Sequence, residues 1–333
     1  MPQLSLVIIN YNTFQLTCNC LYSIQAHLLN LSYEIILVDN ASTECDPLKF
    51  KDEFPSINLI SLTENLGFGN GNNVGIRAAS APVILLLNSD TLVVDDAISQ
   101  TYCFLMQYPD TGMVGCKLLN ADGSEQLSSF IPVRYPYINL LINSNAFLSG
   151  LGRAFGIFKY YDHISMTLAF QKGNHVCEAL SGAFMMIRKK VIEECGDFDP
   201  DFFMYCEDTE WCRNRISRKF SIRYYAEAAI IHYGGKSSLS DITQKQTMLS
   251  SFLYNYKTGI VNYTIALLIT SFNALCNLLI LPWMTKSSRR LIISQIKLFI
   301  QVLPYLFFDI PKYKKRYGGR PTPLRIGEYK NKK

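Results

Sequence analysis

The sequence predicts an α/β protein, with a mostly parallel sheet in its first part and apolar helices at its C-terminal end. Short β-branched runs alternate with longer polar-apolar stretches over the first 120 residues, and these runs end in polar turn residues. This alternation is typical of a parallel sheet with helices on both faces. From residue 258 to 285 the chain then carries no charge. We therefore expect two domains, 1–250 and 251–333.

Six runs have the pattern of strands. The first, LSLVIINYN at 4–12, lacks the charged start and the cleavage site of a signal peptide, so we interpret it as a strand. A helix is expected at 206–219, where an acidic first turn and a basic last turn suit the helix dipole. The other predicted strands lie in 34–42, 57–62, 83–90, 178–189 and 221–235, and the last of them ends at His232.

The charge distribution argues against a nucleic-acid partner. The net charge is +5, but residues 286–333 hold 13 Lys/Arg and two acids, which is +11. Residues 1–285 therefore carry about −6 (5 − 11), which is too acidic for a nucleic-acid surface. Ten scattered cysteines without a CxxC pair indicate free thiols and a reducing, cytoplasmic compartment.

The C-terminal apolar segments favour membrane association over a soluble helical subdomain. Residues 258–285 carry no charge and 291–308 contain only Lys297, so either segment is long enough to approach a bilayer span. The basic tail after them would contact anionic headgroups on the cytoplasmic face of the plasma membrane.

Each apolar segment also has a polar stripe along one helical face. Such helices could insert as a hairpin, stripe against stripe, or lie at the interface. The stripes are Asn262, Thr270, Asn273 and Asn277 in the first segment, and Ser294, Lys297, Gln301 and Pro304 in the second.

Residues 121–177 are less regular and rich in aromatic side chains. They are compatible with an acceptor-facing excursion, with a contact between copies of a homo-oligomer, or with packing beneath a long loop, and the sequence does not separate these. The aromatic residues are Tyr135, Tyr137, Phe147, Phe155, Phe158, Tyr160 and Tyr161.

Polar clusters follow three of the predicted strands. They are Asn10-Tyr11-Asn12, Asp39-Asn40 and Asn88-Ser89-Asp90. Ligands of parallel sheets bind beyond the carboxyl ends of the strands, so we expect the three clusters to line one crevice. An acid at the end of a buried strand needs a partner, solvent or a metal, so Asp90 is a candidate ligand for a divalent cation. Ordinary turn and cap chemistry is the alternative for each cluster alone.

The Gly- and Asn-rich stretch TENLGFGNGNNVGIRAA at 63–79 predicts a loop that opens a helix. Its backbone N–H groups could face phosphate. The glycines at 67, 69, 71 and 75 do not have the GxGxxG spacing of a dinucleotide-binding turn, which argues against a dehydrogenase.

Two further elements could carry chemistry. Glu207 and Asp208 follow the aromatic run FDPDFFMY, where a semi-apolar pocket would raise the proton affinity of one acid toward that of a general base. His232, before two glycines, could complete a mixed nitrogen and oxygen site for Mn²⁺ or Mg²⁺ with Asp90. An acidic helix start and a core histidine are the plain alternatives.

Taken in order, these motifs form one set whose order and spacing can be compared with known families. NYN, VDNAS, NLGFGNGNNVG, LLLNSD, SGAFMMIRKKV, GDFDPDFFMYCEDTEW and IIHYGGKS occur at this separation over about residues 3–240. The sequence resembles the family 2 inverting glycosyltransferases of the GT-A fold, closest to bacterial rhamnosyltransferase-like enzymes of surface polysaccharide assembly. The resemblance implies one displacement, in which an acceptor hydroxyl attacks the anomeric carbon of a nucleotide sugar. The acceptor would be a glycan or a lipid-linked oligosaccharide.

The resemblance also implies roles for individual residues. It places Asp208 as the base and Glu207 as a residue that orients the acceptor or shares that role. It places Asp90 and His232 on a divalent metal. The donor side would comprise Ile9, Tyr11, Asp39, Asn65, Asn88 and Asp90, and the acceptor side Ser181, Gly182 and Trp211.

Two departures from the family pattern qualify these roles. Asn88 stands where the metal-binding turn usually has its first acid, so the metal would depend more on the diphosphate and on His232. Asn72-Asn73 stand where many users of uridine diphosphate sugars have an arginine, which favours dTDP-rhamnose as donor. A UDP-sugar transferase and a catalytically inactive glycan- or membrane-binding scaffold of the same fold stay open as alternatives.

Overall fold

A computed structural model describes residues 1–131, 137, 140–141, 171–234, 241–313 and 323–326. The chain forms two compact units. The first comprises Met1–Pro132, Met166–Asp199 and Glu207–Lys236, and the second Val133–Ser165, Pro200–Cys206 and Ser237–Lys333. The division into domains at 1–250 and 251–333 stays a prediction.

A parallel half-sheet forms the nucleus of the first unit. Its strands run in the order β3-β2-β1-β4, and every neighbouring pair is parallel. The four strands predicted in this region are confirmed, because buried aliphatic residues fill both faces of β1 and β4. The strands are β1 (Leu4–Asn10), β2 (Tyr33–Asp39), β3 (Asn58–Ser61) and β4 (Val83–Asn88).

The sheet continues as a mixed sheet, which the sequence did not predict. The next strand after β4 is Phe184–Arg188, which runs antiparallel to β4 and to Thr111–Leu119. Numbered along the chain, the remaining strands are β5 (Thr91–Val93), β6 (Thr111–Leu119), β7 (Ser129–Phe130), β8 (His175–Cys177), β9 (Ala179–Leu180), β10 (Phe184–Arg188) and β11 (Ser221–His232). In the described residues the sheet has nine strands, and β7 pairs with β9 separately.

Helices cover both faces of this sheet, and each face has its own apolar core. The predicted helix at 206–219 is confirmed as helical, although it changes from an α-turn to a π-turn at Trp211–Arg215 and to a 3₁₀ turn at Ile216–Arg218. The helices of the first unit are α1 (Phe14–His27), α2 (Lys49–Glu53), α3 (Phe68–Ala78), α4 (Ala97–Gln107), α5 (Lys189–Cys195) and α6 (Glu207–Glu210).

Helix α3 packs unusually close to β1. A Cβ added at Gly75 would lie 2.3 Å from Cγ1 of Val7, and one at Gly71 would lie 3.4 Å from Cγ2 of Ile9. Only glycine permits this approach, so the loop before α3 is held just beyond the carboxyl end of β1.

The second unit contains three long helices around one apolar core. They are α7 (Asp241–Thr258), α8 (Ile260–Ile280) and α9 (Lys286–Phe308). Lys257 on α7 forms a buried ion pair with Asp201, with 2.5 Å between Nζ and Oδ2. Burying both charges is tolerable because each compensates the other.

Among the described residues, two helical stretches are long and apolar enough to cross a membrane by length and composition. They are Ile260–Trp283 and Lys286–Lys312. The polar stripe of α8 faces inward, since Asn273 and Asn277 are buried. The second stripe is exposed at Ser294, Lys297, Gln301 and Pro304. The arrangement with the two stripes against each other is therefore corrected: α9 turns its apolar face to the core instead.

All ten cysteines are free. Five are buried, at 18, 20, 116, 177 and 212, and Cys103 is exposed. Of the aromatic residues noted in 121–177, only Tyr137 belongs to the described residues, where its hydroxyl donates to Asn262 Oδ1. The others, and most of the basic tail, lie outside the described residues.

Candidate active site

The ends of β1 and β2 form a hydrogen-bonded crevice in the first unit. Asn10 Nδ2 donates to Asp39 Oδ1 at 2.7 Å and to Ser42 Oγ at 2.9 Å. The backbone N–H of Ser42 donates to the other oxygen of Asp39 at 3.0 Å. These bonds fix the carboxylate of Asp39, which is buried with 1% of its surface exposed. Ile9 is half-buried beside it, and Tyr11 is exposed at the rim.

Asn40 joins this crevice to the Gly-rich loop. Its Nδ2 donates to Asn65 Oδ1 and to the carbonyl of Gly67, both at 3.0 Å, and its Oδ1 accepts from the N–H of Leu66 at 2.9 Å. Gly67 has a φ of 84°, which glycine adopts without strain. Asn40 was predicted only as part of a polar turn, whereas its side chain also fixes the predicted donor residue Asn65.

Asn72 and Asn73 face away from the crevice. Both are buried. Asn72 donates to the carbonyl of Phe68, while Asn73 exchanges two hydrogen bonds with the backbone N–H and carbonyl of Phe198, at 2.9 and 2.8 Å. Their amides are occupied by structural hydrogen bonds, and the donor favoured by the absence of an arginine at these positions stays a prediction.

The Asn88-Ser89-Asp90 turn lies next to the crevice, as predicted. Ser89 Oγ is 3.2 Å from Thr13 Oγ1, and Thr13 donates to Asn10 Oδ1. The N–H of Asn88 donates to the carbonyl of Ala183 at 3.1 Å. The turn therefore connects the end of β1 to the segment before β10.

Asp90 and His232 meet on the sheet, because β5, which follows Asp90, pairs with the end of β11. His232 Nε2 lies 3.3 Å from Asp90 Oδ1 and 3.3 Å from Asn88 Nδ2. In an octahedral site with ligands about 2.1 Å from the ion, neighbouring ligand atoms are about 3.0 Å apart. One oxygen and one nitrogen at this separation fit adjacent positions on Mn²⁺ or Mg²⁺. No group of three His, Cys, Asp or Glu side chains suited to a metal occurs among the described residues.

Glu207 and Asp208 begin α6 with different environments. The N–H groups of Gly182 and Thr209 donate to Asp208 at 3.1 and 2.6 Å, which favours its carboxylate form, although burial still raises its pKa. Glu207 is 4% exposed, and its Oε2 has no hydrogen-bond partner among the residues that the structure describes. Burial, with the neighbouring Asp208 charge, raises the pKa of Glu207 to about 8. The hydrogen bonds therefore favour the negative charge of the pair on Asp208, while the raised pKa of Glu207 favours its protonated form.

The glycines place this pair beside the Gly-rich loop. A Cβ at Gly69 would lie 3.4 Å from Cγ of Glu207, and one at Gly182 would lie 3.2 Å from the Phe68 ring and 3.5 Å from Asp208 Oδ2. The structure thus brings Gly182, a predicted acceptor-side residue, next to Asp208. Ser181 precedes it, half-buried, with its N–H bonded to the carbonyl of Ser128.

Trp211 does not face an acceptor side. It is fully buried, packs against Phe198 with ring centroids 4.4 Å apart, and donates from Nε1 to the carbonyl of Gly196 at 2.8 Å. We assign it to the core beneath the site, because its ring is enclosed against Phe198 and its indole N–H is already bonded to a backbone carbonyl.

Comparison with known proteins identifies the family. The profile of the family described as "Glycosyltransferase like family 2" matches residues 2–248. The chain belongs to this family, and the resemblance drawn from the motifs is confirmed.

Relatives at low identity are named as proteins of glycan biosynthesis or sugar transfer. "O-antigen biosynthesis protein RfbC" of Myxococcus xanthus is 25% identical over 63% of this chain and 16% of its own length. "Low-salt glycan biosynthesis hexosyltransferase Agl10" of Haloferax volcanii is 27% identical over 64% of this chain and 61% of its own length. "dTDP-rhamnosyl transferase RfbF" of Shigella flexneri is 22% identical over 70% of each chain. This chain thus spans less than two thirds of the first two.

A solved structure has the same fold. The mannosyltransferase PcManGT from Pyrobaculum calidifontis, in complex with GDP-Man and Mn²⁺, superposes with a TM-score of 0.56 over 92% of this chain and 88% of its own, at 14% identity. The expected α/β GT-A architecture is confirmed.

Proposed function

We propose that this protein is an inverting glycosyltransferase that moves a hexose from a nucleotide sugar to a glycan or lipid-linked acceptor. The observation that carries the proposal is the Asp208 carboxylate. It is oriented by two backbone N–H groups and lies beside a neutral Glu207 and the Gly-rich loop. A fixed carboxylate with a raised pKa suits a general base that takes the proton of a hydroxyl.

The proposed reaction is a single displacement. The acceptor oxygen forms a bond to the anomeric carbon as the bond to the diphosphate oxygen breaks, and the electron pair leaves with the nucleoside diphosphate. Asp208 takes the hydroxyl proton. Glu207, with a proton of its own at neutral pH, can donate a hydrogen bond to a substrate oxygen without adding a second charge. Asp39 and Tyr11 would hold the nucleoside on the other side of the crevice.

Asp90 and His232 would hold a divalent cation, and Asn88 would contact the donor beside them. The cation, when bound, would neutralise charge on the diphosphate leaving group. The neighbour solved with Mn²⁺ supports this assignment by fold alone.

We propose dTDP-rhamnose as the donor. The support is the printed activity of relatives such as RfbF and the "N-acetylglucosaminyl-diphospho-decaprenol L-rhamnosyltransferase" of Mycobacterium tuberculosis, which is 22% identical over 62% of this chain. The donor assignment therefore rests on these relatives.

We further propose that α8 and α9 bring the enzyme to the cytoplasmic face of the membrane, where a lipid-linked acceptor would reside. Exposed apolar residues on both helices support contact with lipid, among them Leu268, Phe272, Leu275, Leu279 and Trp283 on or just after α8, and Leu291, Ile300 and Phe307 on α9.

The test is donor binding by the full chain in detergent. Isothermal titration measures the affinity for dTDP-rhamnose, UDP-glucose and GDP-mannose, each with Mn²⁺, with Mg²⁺ or with EDTA. We expect dTDP-rhamnose to bind most tightly, and only when a metal is present. Binding of UDP-glucose instead would change the proposed donor but would still support the proposed enzyme class. Binding of none of the three sugars, with an intact fold, would contradict the proposal and favour the inactive scaffold. Asp90→Ala should weaken metal-dependent binding, and donor binding unchanged by EDTA would contradict the metal assignment.

A further inference from the structure

Gln126 lies behind His232, on the side of the imidazole away from Asp90. Its Oε1 is 2.8 Å from His232 Nδ1, while its Nε2 donates to the carbonyl of His232 at 2.6 Å and to Asn120 Oδ1 at 2.7 Å. The sequence gives no sign of this contact, since 106 residues separate the two side chains.

These bonds fix the orientation of the Gln126 amide. The carbonyl oxygen of His232 can only accept a hydrogen bond, so the amide group facing it at 2.6 Å must be the NH₂ group. The oxygen of the amide then faces Nδ1. An amide oxygen can only accept, so Nδ1 must carry a proton.

The opposite nitrogen of His232 has a competing neighbour. Asp90 Oδ1 lies 3.3 Å from Nε2 and would itself accept a proton from it. A neutral imidazole carries one proton, and with Gln126 holding it on Nδ1 the lone pair of Nε2 faces Asp90 and Asn88. Nε2 and Asp90 Oδ1, 3.3 Å apart, can then occupy adjacent positions around one cation.

We propose that Gln126 is a positioning residue that sets the tautomer of His232 and so keeps Nε2 available as a metal ligand. Without Gln126, Asp90 would select the form with the proton on Nε2, which has no lone pair there for a cation. Histidine ligands commonly hold the proton of their other nitrogen against a carbonyl or carboxylate group, and loss of that partner typically weakens metal affinity about 10- to 100-fold. The proposal rests on the proposed metal site but concerns the imidazole of the metal-free protein.

The experiment measures the tautomer directly. In full-length protein with histidines labelled with ¹⁵N, a long-range ¹⁵N–¹H spectrum distinguishes a proton on Nδ1 from one on Nε2, and His232→Asn identifies the signals among the four histidines. The comparison is made on the neutral imidazole, at a pH high enough that the spectrum shows one proton on the ring. We expect the neutral form of wild-type His232 to carry its proton on Nδ1 without metal, and Gln126→Leu should move it to Nε2. A neutral wild-type imidazole with its proton on Nε2, or an unchanged tautomer in Gln126→Leu, would overturn the proposal.

Metal affinity is the second readout. Binding of Mn²⁺ alone, followed by the loss of the free-ion electron paramagnetic resonance signal, should weaken about 10- to 100-fold in Gln126→Leu. Gln126→Glu retains an oxygen opposite Nδ1 and should keep the Nδ1–H form. Asn120→Asp retains the acceptor for Gln126 Nε2 and should leave both readouts unchanged. Equal Mn²⁺ affinity in wild type and Gln126→Leu, with the tautomer moved, would separate Gln126 from metal binding and overturn that part of the proposal.

Failure of the proposed function gives a different pattern. The protein could transfer no sugar and still show the Nδ1–H tautomer, with its loss in Gln126→Leu. This result would support the positioning role of Gln126 and contradict the proposed enzyme class. A melting curve of each variant confirms that it is folded before either readout is compared.

Discussion

At the scale of single residues, Asp208 and Glu207 are neighbouring carboxyl groups in opposite environments, and these environments favour a charge on Asp208 and a proton on Glu207. Backbone N–H groups stabilise the Asp208 carboxylate, while Glu207 is buried with one oxygen that no described residue contacts by a hydrogen bond. The division of roles in this pair is therefore set by local hydrogen bonding rather than by residue type.

Asp208→Asn should lower the rate of transfer about 10²- to 10⁴-fold, because the amide cannot accept the hydroxyl proton. Donor affinity should change little, since Asp208 faces Gly182 rather than the nucleoside crevice. Initial rates and donor titration check both statements, with Glu193→Gln at an exposed position as the matched control. A variant that loses donor affinity in step with its rate would exclude Asp208 as the base.

Glu207→Gln should reduce the pH dependence of stability. The folded protein holds the Glu207 proton up to a pKa of about 8, whereas the unfolded chain releases it near the ordinary value of about 4.5. The stability that Glu207 contributes is therefore complete below pH 4.5 and is lost as the pH rises through 8. Between pH 6 and pH 9 the fall in melting temperature should be smaller in Glu207→Gln than in wild type. Parallel curves for both proteins would mean that Glu207 is ionised in the fold.

The site residues that belong to a sequence motif could be predicted. The site residues that act through long-range side-chain contacts could not. Asp39, Asp90 and Asp208 follow buried strands or begin a helix, so their position could be inferred. Asn40 and Gln126 have no such signal, because their partners are 25 or more residues away. Trp211 was misinterpreted for the same reason: its proximity to Asp208 in the sequence did not reveal that its side chain faces the core.

At the scale of elements, the position of the Gly-rich loop depends on how closely α3 lies against β1. Gly75→Ala places a methyl group where Cγ1 of Val7 stands 2.3 Å away, so α3 or Val7 must shift. Overpacking of this kind typically costs about 1–3 kcal/mol. Urea unfolding should show a loss of that size.

The matched test is the double variant Val7→Ala/Gly75→Ala. Removing the Val7 methyl groups gives space for the new Cβ, so Gly75→Ala should cost less in the Val7→Ala background than in wild type. Equal costs in the two backgrounds would show that the contact between α3 and β1 does not limit the packing.

The strands β1 to β4 could be predicted because apolar runs ending in polar turns are a local signal. The antiparallel β10 and the crossover that pairs β11 with both β5 and β6 could not. Pairing partners are determined by contacts between segments distant in the chain. The apolar run at 184–188 does not indicate whether its strand pairs in parallel or antiparallel.

At the scale of the whole molecule, α8 and α9 present apolar side chains outward while their unit retains a core of its own. Leu275→Lys/Leu279→Lys should weaken binding of the full chain to vesicles that contain anionic lipid, because both residues are more than half exposed on α8. Vesicle flotation measures the bound fraction, with Leu48→Lys, an exposed position in the first unit, as the control. If the double variant floats as fully as wild type, this face of α8 does not contact lipid.

The distribution of cysteine burial has a practical consequence for labelling. Burial raises the pKa of Cys18, Cys20 and Cys177 to about 12, so these thiols hold their protons and react slowly with electrophiles. Cys103 stands exposed on α4. A maleimide dye at neutral pH should therefore couple first at Cys103, which offers an attachment point for fluorescence without removal of the buried cysteines.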